Sequence, residues 1–184
     1  MFLLPILQKL YSIFPWISEK KRESMKRKML FHEWTKGFRR LFRPPFVFLF
    51  GSPCHSNLGD QAQTECIVAW IRKYLPKYEI FIATYANTSP RLLRKIRRSI
   101  RKKDILLCHS GYHMTDLYDE QSHYLRVAQL FPDHPLTILP QTVNYQEESH
   151  AQTTAVILNS HPDCTLFCRD EYSYEKAKML FNQC

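Results

Sequence analysis

At 184 residues and 45% hydrophobic content, the chain is long enough to bury one α/β core and still carry an appendage. Its net charge of +9 is uneven: Met1 to Pro45 hold 11 Lys/Arg against 3 Asp/Glu, whereas Phe46 to Cys184 hold 15 against 14. A nearly neutral body excludes binding of nucleic acid by bulk charge, and the basic appendage points to an acidic surface as partner.

Met1 to Trp16 are rich in Phe, Leu, Ile, Tyr and Trp, and are followed by Lys20, Lys21, Arg22, Lys26, Arg27 and Lys28. Such a pairing suits an interfacial anchor on an anionic leaflet, and it equally suits a helix packed on the body or on a partner. No nucleic-acid module is recognisable, so nucleic acid is not an expected partner. Pro5, Lys9 and Pro15 interrupt the opening well short of a membrane span, and no signal peptide is evident. Six cysteines without a C-x-x-C pair read as reduced thiols of a cytoplasmic protein.

Phe46 to Phe50 is an apolar run between Pro45 and Gly51, too short for a helix, and predicts a buried strand. A turn-rich loop from Ser52 to Gly59 leads to a helix with Asp60 at its N-cap and Ala62, Cys66, Ile67, Trp70, Ile71 and Tyr74 on one face. The loop matches neither G-x-G-x-x-G nor G-x-x-x-x-G-K-[ST], which disfavours classical NAD or ATP binding. Asn57, Gly59 and Asp60 either shape a ligand site or only turn the chain and cap the helix.

Glu79 to Thr84 predicts a second strand, and Ser89-Pro90 starts a helix that runs to about Lys103 with a crowded basic face. Asp104 to His109 predicts a third strand, followed by a polar loop, SGYHMTDLYDEQ, and a helix from about Glu120 to Phe131. Leu136 to Leu139 predicts the fourth strand, PQTVNY a loop, and Glu148 to Asn159 a helix. Thr165 to Cys168 predicts the fifth strand, with Arg169 and Asp170 at its end and a helix from Tyr172 to Leu180.

Five strands alternating with helices predict an α/β, Rossmann-like parallel sheet with flanking helices, because right-handed crossovers return each helix to a sheet face. The strand-to-helix loops then share one edge, where the site is expected. Cys54, His55, His109 and His113 sit in separate loops without the spacing that fixes zinc geometry, so no metal is expected. The sequence halts at Cys184 directly after a helix, which reads as one compact domain or as the N-terminal half of something longer.

Four segments, in order after successive strands, resemble the N-terminal half of the polysaccharide pyruvyl transferase family: NLGDQA, HSGYHMTDLYD, LPQTVNY and CRDEYSYEKAK. The resemblance departs at Gly111, which stands alone where the family has two or three glycines. It implies two Rossmann-like domains facing a cleft in a GT-B-like arrangement, with the second supplied beyond this chain or by a separately encoded half. It implies transfer of the enolpyruvyl unit of phosphoenolpyruvate to two hydroxyls of a sugar, giving a cyclic ketal, with no cofactor. The acceptor would be a cell-surface glycan or its lipid-linked precursor; the basic appendage, read as an anchor, would hold a cytoplasmic protein on the inner face of the plasma membrane. Under this resemblance Asp60, His109 and Asp116 are candidate catalytic residues, and Asn57, Gly59, Gly111, Gln141, Arg169 and Ser173 candidate substrate-binding residues. Arg169 ranks first, because a guanidinium at a strand end can grip a carboxylate or phosphate at two points. Alternatives are a nucleotide-sugar glycosyltransferase, which the same architecture serves, and a non-catalytic binding subunit.

Overall fold

The computed structural model describes residues 43–184, so the appendage expected over the first 45 residues, with its proposed membrane contact, lies almost wholly outside the described part. Residues 44–184 form one compact unit.

The strands are β1 (Phe46–Ser52), β2 (Glu79–Thr84), β3 (Ile105–Cys108), β4 (Gly111–Thr115), β5 (Leu136–Asn144) and β6 (Cys164–Cys168). The helices are α1 (Leu58–Tyr74), α2 (Pro90–Ser99), α3 (Gln121–Leu130), α4 (Glu148–Asn159) and α5 (Glu171–Leu180), with a short 3-10 turn at Tyr85–Asn87. Every strand pairing is parallel, in the order β2–β1–β3–β5–β6, and β4 resumes the pairing with β5 where β3 leaves it. Counting β3 and β4 as one interrupted strand gives the doubly wound order 2-1-3-4-5, whose switch point lies between β1 and β3. The fold is α/β and Rossmann-like, as expected.

β1 is central and wholly buried, which explains its unbroken apolar run. Its side chains alternate: Val47 and Leu49 pack with Ile71 and Leu107 on one face. On the other, Phe46, Phe48 and Phe50 stack on one another, Phe48 meets Phe81 and Phe50 meets Phe131. Each such buried side chain contributes about 2 kcal/mol. Gly51 ends the run with φ +73°, and a Cβ there would lie 2.3 Å from Cε1 of Tyr124. Only glycine lets the Tyr124 ring close over the strand end.

Three expectations are corrected. The polar stretch after His109 is not all loop, since Gly111–Thr115 forms β4. The fourth strand does not stop at Leu139, and β5 continues through Pro140 to Asn144. Pro140, lacking an N–H, sits where β5 passes from β3 to β4 and where its register with β6 shifts, the kind of ladder gap in which a strand tolerates proline. The cap of α1 is Asn57 rather than Asp60, because Asn57 holds extended backbone (φ −61°, ψ 115°) and its Oδ1 accepts from Gly59 N at 2.9 Å.

Candidate active site

The carboxyl edge of the sheet gathers the loops as predicted, and its centre is the interruption between β3 and β4. Backbone groups that leave a sheet inside a core need new partners. Gln141, fully buried on β5, provides them: its Nε2 donates to the carbonyls of His109 (2.6 Å) and Leu139 (2.9 Å), and its Oε1 accepts from His113 N at 3.1 Å. Tyr124 adds a hydroxyl donated to the same His109 carbonyl at 3.0 Å.

His109 is fully buried at this break. Its Nδ1 lies 2.6 Å from the Ser110 carbonyl, which can only accept, so Nδ1 carries the proton. Burial lowers the imidazole pKa, and the neutral ring leaves Nε2 to accept from Thr64 Oγ1 at 2.9 Å. Ser52 Oγ lies 3.3 Å from Thr64 Oγ1 and completes a buried chain from β1 through α1 to β3. The neighbouring His113 is pushed down to about 4, chiefly by burial and then by His109. With both His109 nitrogens engaged, the ring positions its neighbours and does not face a ligand.

Around this buried centre lies an open rim. Asp60 falls in the first turn of α1, where the helix dipole favours a carboxylate, with His55 Nε2 3.7 Å away. Gln63, one turn on, accepts from Ser110 Oγ at 2.7 Å. Gln63, Ile67, Ser110, Leu139, Pro140 and Arg169 line a cleft of about 380 Å³. Arg169 follows β6, anchored through its N–H to the Gln141 carbonyl at 3.0 Å, and is exposed. Its guanidinium has no hydrogen bond or ion pair to any described residue, so it can meet an anion bidentately.

The remaining candidates are placed differently. Asp116 accepts from Gln146 N and from Glu147 N (2.7 Å), ahead of α4, and these bonds hold its carboxyl below the usual range. A carboxylate so engaged is a poor base. Ser173 is fully buried: its N–H donates to Asp170 Oδ1 at 2.8 Å, and its Oγ accepts from Val143 N at 3.1 Å, pinning α5 to β5. Gly111 has φ +149°, and a Cβ there would lie 2.5 Å from Nε2 of His113, so this single glycine is required by the strand break itself. The structure thus brings Asn57, Gly59, Asp60 and Arg169 to the open edge, His109, Gln141 and Gly111 to the buried break, and Asp116 and Ser173 to helix starts. Ser52 and Ser110 lie within the loops where the site is expected, without being singled out by the sequence, whereas Gln63, Thr64 and Tyr124 lie outside them. Gln63 and Thr64, each one turn beyond Asp60, carry a periodicity signal that places them beneath the loop.

An open parallel sheet with an exposed arginine and polar loops along its carboxyl edge defines a Rossmann-like α/β domain. Residues 57–183 match the family described as polysaccharide pyruvyl transferase, and the chain belongs to that family. It is 30% identical over 142 residues to General stress protein 30 of Bacillus subtilis (strain 168), a stretch covering 74% of this chain and 41% of that protein. It is 31% identical over 143 residues to Pyruvyl transferase 1 of Schizosaccharomyces pombe, covering 74% of this chain and 35% of that protein. The matched stretch spans less than half the length of these relatives.

Proposed function

We propose that the chain supplies the donor-binding half of a pyruvyl transferase that moves the enolpyruvyl unit of phosphoenolpyruvate onto a sugar of a cell-surface polysaccharide or its precursor. The observation that carries this reading is Arg169, whose guanidinium has no hydrogen bond or salt bridge among the described residues and only the neighbouring Asp170 carboxylate for a charge partner, on a cleft at the carboxyl edge of a chain belonging to this family. In the reaction one sugar hydroxyl adds to the central carbon of phosphoenolpyruvate as its methylene carbon takes up a proton. Loss of phosphate and closure by a second hydroxyl then give the ketal. Arg169 holds the carboxylate or phosphate, and Asp60 accepts a hydrogen bond from the attacking hydroxyl. His109 acts at one remove, holding Thr64 and Ser110 in place. The acid that protonates the methylene carbon comes from the part of the enzyme beyond the matched stretch.

Thermal-shift titration tests the donor. Millimolar phosphoenolpyruvate should raise Tm, nucleotide sugars should not, and Arg169→Ala should abolish the rise. Stabilisation by a nucleotide sugar alone would instead identify a glycosyltransferase. The 184-residue chain by itself should bind phosphoenolpyruvate only weakly and should not turn over, because one guanidinium in an open, wet cleft gains little against a trianion.

We also propose action at the inner, anionic membrane surface, supported by the charge of the first 45 residues and by the exposed Arg91, Arg94 and Arg98 of α2. Among the described residues no helix is long and apolar enough to cross a membrane. Sedimentation with anionic vesicles should be salt-sensitive, and equal binding to neutral vesicles would contradict the electrostatic part.

A further inference from the structure

Beyond the cleft, the carboxyl edge carries a second set of side chains held by hydrogen bonds and ring contacts. Asn144, the last residue of β5, accepts at Oδ1 from Lys176 Nζ at 2.7 Å and donates from Nδ2 to the Tyr112 hydroxyl at 2.9 Å. Lys176 Nζ also lies 4.4 Å from the centroid of the Tyr172 ring. At the other end, the Tyr112 and Tyr118 rings meet edge to face, at 82° and 6.2 Å. Tyr172 and Tyr118 are nevertheless 63% and 55% exposed. The result is a ledge with an aromatic ring at each end and oriented polar groups between.

We propose that this ledge, formed by Tyr118 and Tyr172 with Tyr112, Asn144 and Lys176 between them, binds the acceptor as a neutral hexopyranoside unit of a glycan. A pyranose has an apolar face of C–H bonds and a rim of hydroxyls, so it is matched by exposed rings flanked by fixed donors and acceptors. The donors remain available: an ammonium has three hydrogens and Asn144 engages one, while Tyr112 accepts from Asn144 and keeps its own hydroxyl hydrogen. An anionic ligand fits worse, because the ledge's one cation is already bonded to an amide and lies over a ring. The position fits too. Tyr172 stands three residues after Arg169, which keeps their Cα atoms within about 11 Å of each other. The inference rests on the pyruvyl-transfer reading for the identity of the ligand, and on the geometry for its place.

The test is saturation-transfer NMR on the full chain with methyl β-D-galactopyranoside, whose axial hydroxyl leaves one contiguous apolar face and whose ring offers two hydroxyls for a ketal. Phosphoenolpyruvate is titrated into a parallel sample. The ring protons of the apolar face should take up the most saturation. Tyr172→Ala and Tyr118→Ala, both at exposed positions, should each weaken binding about three- to tenfold, and Lys176→Met comparably. These variants should leave the amide shifts caused by phosphoenolpyruvate at Ser110 and Arg169 unchanged. Sugar binding indifferent to the three substitutions, or no sugar binding while phosphoenolpyruvate still perturbs Arg169, would overturn the ledge and leave the donor reading standing. Sugar on the ledge with no response to phosphoenolpyruvate would sustain the ledge and sink the donor reading.

Discussion

Two neighbouring regions of the carboxyl edge are built from similar polar residues and do opposite things. At the β3–β4 break, Gln141, His109, Thr64 and Tyr124 are buried or nearly so, and each is bonded to backbone or to another member of the group. At the rim, Arg169 is exposed and its guanidinium has no hydrogen bond or salt bridge among the described residues. The difference teaches that a polar residue after a strand is not by that fact a ligand group. What matters is whether the sheet beneath it is intact. Where the ladder breaks, side chains are taken up in repairing it, because a buried unsatisfied amide costs more than a solvated one. Where the strand simply ends, they are available.

The largest effect should come from the roof of the break. Gly51→Ala forces a left-handed φ on alanine and drives its Cβ into the Tyr124 ring, so urea unfolding should show a loss of about 4 kcal/mol. Near-native stability would mean that Tyr124 does not close over β1. Next, Gln141→Ala strips two carbonyls and one N–H of a buried partner, and about 3 kcal/mol should be lost. If Gln141→Ala instead weakened only phosphoenolpyruvate binding, the division between scaffold and rim would fail.

The buried region should also register in pH. His113 is held at about 4 against an ordinary 6.5, so the unfolded chain takes up this proton first as pH falls. Its contribution is therefore complete above about 6.5 and declines toward about 4, at up to about 1.4 kcal/mol per pH unit. His113→Phe should flatten that limb of the stability profile, and an unchanged slope would remove His113 as its source. The smallest structural effect belongs to the rim: Arg169→Ala should alter unfolding free energy by no more than about 0.5 kcal/mol.

The fold was legible because its signals are local and periodic: the apolar run at Phe46 to Phe50, the Ser89-Pro90 helix start, and strands alternating with helices. Arg169 was legible for a related reason, since a charged residue directly after a short apolar strand is placed by the strand. Gln141 was not, because its role depends on an interruption in a neighbouring strand, a property of pairing that no window of sequence displays. β4 was hidden by the polar letters of Gly111–Thr115, whose strand character comes from pairing with Gln141, Val143 and Asn144. Asp116 and Ser173 read as site residues because helix caps and ligand groups draw on the same residue types and the same positions after strands.

The central claim is that the ligand meets the rim and the break only supports it, and a residue-resolved amide spectrum of the chain titrated with phosphoenolpyruvate tests it most directly. The account predicts that the largest shifts fall at Gln63, Ser110 and Arg169, that Arg169→Ala removes them while the rest of the spectrum stays unchanged, and that Arg169→Lys restores them only in part, because lysine keeps the charge without the planar two-point grip. Shifts that persist in Arg169→Ala, or that cluster away from the carboxyl edge, would contradict it.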